Sequence, residues 1–266
     1  MTEREAKAKE ILSKDTKPVG RFWANKYKNE AAKNWDLFYK RNKTNFFKDR
    51  HWISREFEEL SVHEDEEDVS KQQKIVLELG CGVGNFMFPI LDANPFVFIY
   101  ACDFSKRAIQ FVQNHEKYKE TRCHAFVADI TKDPLSSLIY PNTVDLVSAI
   151  FVASAIPPEM HSQMLENIKE ASVMKPGGIV CFRDYAIYDE TQLRFSTSGN
   201  HKIEENLYVR QDGTMSYFFS IEYLTQLFET HGFKKIYAEY IERETTNRAQ
   251  ELTVDRVFLQ AKFVKL

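Results

Sequence analysis

Ile75-Val76-Leu77-Glu78-Leu79-Gly80-Cys81-Gly82-Val83-Gly84-Asn85 is the stretch that decides the fold. A β-branched apolar run stops at a loop with glycine at every second position, and a helical pattern follows. Glycines let the chain turn tightly and let its backbone approach a ligand at the carboxyl edge of an open sheet, where α/β folds bind their ligands. The spacing is GxGxG, not the GxGxxG of dinucleotide-binding enzymes.

The same alternation continues outward. Residues 97–101, 124–127, 144–152 and 179–182 are further strand candidates, and helical patterns at 105–115 and 159–174 lie between them. This predicts a doubly wound α/β sheet with helices on both faces. Asp103 and Asp129 close the second and third strands. A carboxylate at the first position can accept hydrogen bonds from both ribose hydroxyls, and one at the second can meet an adenine amino group. Three elements on successive strand ends point to S-adenosylmethionine far better than a glycine loop alone, with a nicotinamide enzyme as the alternative. Toward the C-terminus, residues 206–210 and 214–219 read as a hairpin across Asp212-Gly213. Residues 221–231 then read as a helix ended by Gly232, and 235–241 and 256–264 as strands. Two final strands with no helix between them make the last one antiparallel.

Upstream, residues 22–41 read as one amphipathic helix with Phe22, Tyr27, Ala31, Trp35, Phe38 and Tyr39 at three- and four-residue steps. A short helix near 54–60 and an acidic linker at 64–68 follow. The expected division is a basic, aromatic helical arm over 1–62 and an α/β domain over 74–266.

The chain's 266 residues suffice for one core with a small accessory, and 43% hydrophobic and 28% charged residues are globular values. No apolar run approaches the roughly 20 residues that cross a bilayer, and residues 1–17 are too charged for a secretory signal. The expectation is a cytoplasmic protein, present also in the nucleus, with no membrane association. Cys81, Cys102, Cys123 and Cys181 are scattered without a CxxC pair, which predicts reduced core cysteines and no metal site. The net charge of −3 hides an asymmetry: residues 1–52 carry 14 Lys and Arg against 7 Asp and Glu. A basic arm therefore precedes an acidic body, as phosphate binding would need. Trp35, Tyr39, Phe47, Arg50 and Trp52 combine aromatic faces with cations, which suits unpaired nucleotides. Phe38 and Phe46 are expected to cover the domain instead.

The glycine loop with Asp103 and Asp129 resembles the class I S-adenosylmethionine-dependent methyltransferases over residues 74–266. That resemblance implies a Rossmann-like, seven-stranded, mostly parallel sheet with an antiparallel last strand. It also implies Gly80 and Gly82 under the methionine part, Asp103 on the ribose, Asp129 and Ile130 around the adenine, and Ile150 lining the site after the fourth strand. The stretch 35–60, with Phe182-Arg183-Asp184-Tyr185 and Leu207-Tyr208-Val209-Arg210-Gln211-Asp212-Gly213-Thr214, is similar to the tRNA N3-methylcytidine methyltransferases of the methyltransferase-like group. One departure is Ala186 after Tyr185, where glycine is expected. This closer resemblance implies an N-terminal helical lid in which Trp35 and Tyr39 close over the cofactor. It implies cytidine 32 of the anticodon loop as target, with Phe47, Arg50, His51, Trp52, Arg183, Tyr185 and Arg210 on the substrate side. Residues 32–42 look most like the short branch acting on serine tRNA, for which seryl-tRNA synthetase is the expected partner of a monomeric enzyme.

The N3 atom of neutral cytosine has an in-plane lone pair and needs no base to attack a sulfonium methyl. Its product is cationic, so a carboxylate near the base would stabilise the transition state. Asp184, just past the fifth strand, is the catalytic candidate, with a loop cap as its plainer role. A small-molecule methyltransferase would leave the basic aromatic arm unexplained, and a non-catalytic RNA-binding scaffold could dispense with Asp103 and Asp129.

Overall fold

A computed structural model describes residues 3–61, 73–170, 173–247 and 252–266. The acidic run at 64–68 lies outside the described residues. Seven strands form the main sheet: β1 (Lys74–Leu79), β2 (Val97–Asp103), β3 (Cys123–Val127), β4 (Val144–Ile150), β5 (Met174–Tyr185), β9 (Phe233–Asn247) and β10 (Leu252–Lys265). Their order is β3-β2-β1-β4-β5-β10-β9. β1 to β5 pair in parallel, and β10 runs antiparallel to both β5 and β9. The expected sheet with its antiparallel last strand is therefore present. The reversal from β3-β2-β1 to β4-β5 puts a crevice at the carboxyl ends of β1 and β4, where ligands of such sheets bind.

Each face of the sheet is buried under helices. α5 (Met87–Ala93) and α6 (Lys106–Gln113) cover one face, where Ile53, Phe57 and Leu60 of the arm join Val76, Ile99 and Val112 in one core cluster. α7 (His161–Glu170) and α9 (Ile221–Thr230) cover the other, against Leu77, Val147, Phe182 and Phe263. The four cysteines are buried and unpaired. Between β5 and α9 stand α8 (Glu190–Ser198) and a small sheet of β6 (Lys202–Glu204), β7 (Leu207–Val209) and β8 (Met215–Tyr217), with the expected Asp212-Gly213 turn between β7 and β8. No helix among the described residues is long and apolar enough to cross a membrane.

The arm begins with α1 (Glu3–Ser13). The single helix expected over 22–41 is two, α2 (Arg21–Asn29) and α3 (Ala31–Asn42), broken at Glu30. The break lets the apolar positions serve two surfaces. Tyr27 and Ala31 pack against the main core, while Trp35 and Phe38 turn onto Val83 and Ala108 above the glycine loop. α4 (Ile53–Glu56) then leads toward the sheet.

Candidate active site

The glycine loop is moulded by what presses on it. Gly80 and Gly82 both have left-handed backbone (φ 59° and 55°). A Cβ at Gly80 would collide with Val152, and one at Gly82 would lie 2.8 Å from the Tyr39 hydroxyl. The Gly82 N–H donates to Asp103 Oδ2 (2.9 Å) and the Ser105 N–H to Oδ1 (2.9 Å). Burial pushes the Asp103 carboxyl up to about 6, although those two N–H groups favour its ionised form. Beside it opens a cavity of about 270 Å3 walled by Trp35, Tyr39, Gly80, Asp103, Asp129 and Ile130.

α3 roofs this cavity and is tied down on several sides. Asp36 accepts from Ser105 Oγ (2.8 Å) and pairs with Arg107 (3.4 Å), and Asn34 donates to the Gly213 carbonyl (2.9 Å). From α2, Lys28 bridges Glu159 (2.8 Å) and Glu204 (3.0 Å). Trp35 Nε1 is buried on the wall without a hydrogen-bond partner. A donor left open there, a carboxylate at the end of β2 and an apolar flank of Ile130 and Val152 fit a nucleoside with ribose hydroxyls. We expect Gly82→Ala to weaken cofactor affinity about tenfold by displacing the Tyr39 hydroxyl. Adding Tyr39→Phe should restore part of it, since the next ring atom stands 3.6 Å away; calorimetry with S-adenosylhomocysteine reads both.

A second, inner cavity of about 240 Å3 shares Trp35 and Phe151 with the first. Phe47, Arg50, Trp52, Tyr185 and Arg210, the residues read as facing the substrate, line it together with Ser154, Arg256 and Phe258. Arg50 donates to the Ile150 carbonyl (3.0 Å), and its guanidinium lies 5.1 Å from the Phe151 ring. Arg210 bonds Ser216 Oγ (2.8 Å) and Tyr185 Oη (3.1 Å). Arg256 is held by the fully buried Asp189 (2.8 Å). Both arginines stand 5.5 Å from the Tyr185 ring centroid, so that ring is braced by cations. Phe151, on the wall of both cavities, has φ 56°, a strained value for a bulky side chain.

Several expected site residues lie elsewhere. Asp184 is fully buried and lines neither cavity. Its oxygens accept from the Ser154 N–H (2.9 Å) and the Tyr185 N–H (2.9 Å), so it pins the turn after β4, which is the loop-cap role. Arg183 projects from the opposite face of β5, buried against Trp52 (4.4 Å to the ring), Gln260 (2.9 Å) and Glu56 (3.7 Å), and fastens the arm to the sheet. Ile150 packs in the core, and Phe151 and Val152 take its place on the cavity wall. His51 is exposed and lines neither cavity. Asp129 does border the first cavity. Burial pushes its carboxyl up, but bonds from Lys132 (2.8 Å) and from the Thr131 hydroxyl (2.7 Å) and N–H (3.0 Å) outweigh this and hold it low.

Reading by sequence missed His161 as well as Phe151, Arg256 and Phe258. The His161 imidazole is fully buried, with Nε2 against the carbonyls of Ala153 (3.0 Å) and Ile156 (3.1 Å) and Nδ1 against Tyr223 Oη (2.9 Å). Burial lowers its pKa to about 4, so the ring is neutral. Nε2 therefore carries the proton that meets the carbonyls. The turn after β4 is thus gripped from one side by Asp184 and from the other by His161.

Comparison with known proteins agrees with this geometry. A methyltransferase-domain family model matches residues 77–180. A methyltransferase structure from Anabaena variabilis superposes with a TM-score of 0.63 at 12% identity, covering 88% of this chain and 95% of that one. Another from Methanosarcina mazei gives 0.56 at 15% identity, covering 73% and 94%. Fold and site define an S-adenosylmethionine-dependent methyltransferase of class I architecture. Human tRNA N(3)-cytidine methyltransferase METTL6 is 51% identical over 256 residues, spanning 96% of this chain and 88% of the relative. The tRNA N(3)-methylcytidine methyltransferase trm141 of Schizosaccharomyces pombe is 46% identical over 246 residues, spanning 92% and 96%. The chain belongs to the family of tRNA N(3)-cytidine methyltransferases.

Proposed function

We propose that this chain, acting as a monomer, methylates N3 of cytidine 32 in the anticodon loop of serine tRNAs, with seryl-tRNA synthetase as its partner. The observation that carries the reading is the arginine- and aromatic-lined inner cavity sharing Trp35 and Phe151 with the cofactor cavity. Gly80 and Gly82 underlie the methionine part, Asp103 accepts from the ribose hydroxyls, Asp129 and Ile130 frame the adenine, and Trp35 and Tyr39 close the roof. S-adenosylmethionine supplies the electrophilic methyl group.

The chain's own residues hold the target base and set its charge. The Tyr185 and Phe258 rings offer stacking surfaces for a base turned out of the loop, and Phe151 fixes its depth at the wall between the cavities. Arg50, Arg210 and Arg256 disfavour a proton on the base, so the N3 lone pair stays free to attack. No carboxylate lines this cavity among the described residues, so no side chain there is placed to hold the cationic product. Catalysis then rests on alignment of the reacting atoms.

The basic arm contacts tRNA backbones, but phosphate contacts carry little sequence information. A synthetase that grips the rest of the molecule raises the effective concentration of one anticodon loop. The test is nucleoside mass spectrometry of serine, threonine and arginine tRNAs after incubation with cofactor, with and without the synthetase. Methylation of serine tRNA alone, strongly stimulated by the synthetase, is expected. Full activity on threonine tRNA, or no response to the synthetase, defeats the serine assignment; transfer to metabolites and not to tRNA defeats the whole reading.

A further inference from the structure

We infer that the cavity on the far side of Tyr185 is a second nucleotide subsite, holding the phosphate and base next to the target nucleotide; the inference rests on the RNA substrate proposed above. This cavity, of about 820 Å3 against 240 Å3 for the inner one, lies between α8 and the β7–β8 hairpin. The two share Phe47, Tyr185, Arg210 and Arg256, so a strand whose base enters the inner cavity must thread a neighbour past this wall. Every nucleotide step carries one phosphate, which puts an anion at the mouth of the larger cavity.

The lining suits that anion. Arg194, Arg210 and Arg256 face one carboxylate, Asp212, which is itself engaged by the Thr214 N–H (3.0 Å) and hydroxyl (2.6 Å) and lies 3.9 Å from Arg41. Arg210 and Arg256 are occupied by Ser216, Tyr185 and Asp189. Arg194, on α8, is exposed, and among the described residues no carboxylate lies within salt-bridge distance of it. Its guanidinium sits 5.9 Å from the ring of Phe195, which forms the floor with Phe218. Phe46, 55% exposed, stands at the rim as a stacking face. A free guanidinium over an aromatic floor is the pairing that single-stranded nucleic acid uses for phosphate and base together.

The test measures binding of a serine anticodon stem-loop to the full chain and to Arg194→Gln. The RNA is used unmodified and with a neutral methylphosphonate at either linkage flanking the target cytidine. The wild-type protein should lose roughly tenfold in affinity with the methylphosphonate at one of the two positions, the scale of one charged hydrogen bond. Arg194→Gln should lose as much on unmodified RNA and no more on that modified RNA, with cofactor affinity and Tm unchanged. Its salt slope should also fall by about one counterion. Unchanged RNA affinity in Arg194→Gln, or losses that simply add, would overturn the subsite while leaving tRNA methylation intact. A wild-type protein that methylates no tRNA would remove the underlying reading and the subsite with it.

Discussion

Asp103→Ala is expected to weaken S-adenosylmethionine binding by about a hundredfold or more at pH 8, as read by calorimetry. A carboxylate accepting from two hydroxyls makes two charge-assisted hydrogen bonds, each contributing about 1.5–3 kcal/mol. Two further N–H groups, of Gly82 and Ser105, now end on the same oxygens and would be left without an acceptor, loosening the glycine loop as well. The wild-type protein should report the same group through pH. Burial holds the Asp103 carboxyl at about 6, and hydroxyl donors favour its ionised form, so cofactor binding competes with a proton. Affinity should be flat above pH 7 and fall about tenfold for each unit below 6. In Asp103→Ala that slope should vanish. An alanine variant with unchanged affinity would remove Asp103 from the site.

Asp103 was legible in the sequence because its place depends on topology alone: the end of β2 faces the crevice in any sheet of this order. Gly80, Gly82 and the antiparallel last strand were legible for the same local reason. The residues that were misplaced depend on contacts across the chain. Period-two alternation along β5 sends Arg183 and Asp184 to opposite faces, but which face meets the cavity is set by β10, which pairs Gln260 with Arg183 and Leu259 with Asp184. Glu56, from the arm, then completes the burial of Arg183. Arg256 reaches Tyr185 only because β10 inserts between β5 and β9, a register no local pattern encodes. The left-handed turn at Phe151 was hidden inside an apolar run that reads as uninterrupted strand. Nor does glycine or proline mark the break at Glu30, which answers the need to face two surfaces.

The largest effect on stability is expected at Arg50, the point where the arm enters the sheet. Its own N–H donates to the Asn85 carbonyl (2.9 Å) and its guanidinium to the Ile150 carbonyl (3.0 Å), so one residue joins the arm, the glycine loop and the end of β4. Burial lowers its pKa, while the charges of Glu78 and Asp184, among others, oppose that shift. Glu78 is pushed well above the usual carboxylate range by burial, with Arg50 as the cation that pulls it back. Asp184 stands at about 6, again raised by burial and lowered in part by Arg50. Arg50→Ala removes a compensating charge from the buried Asp184 and leaves a carbonyl without its donor, for a loss of about 3 kcal/mol. For a chain of this size that corresponds to a fall of about 6–12 °C in Tm. Without Arg50 the folded-state pKa of Asp184 rises further above its unfolded value. The folded variant then takes up a proton where the unfolded chain does not, so its deficit should be greatest above pH 7 and shrink as pH falls through 6 toward 5. Arg50→Lys keeps the charge but not the planar fork, and should recover the pH-dependent part of the loss while leaving the Ile150 contact impaired. A deficit in Arg50→Ala that is the same at pH 5 and pH 8 would show that Arg50 acts through its bond to the Ile150 carbonyl and its packing on Phe151, and not through its charge.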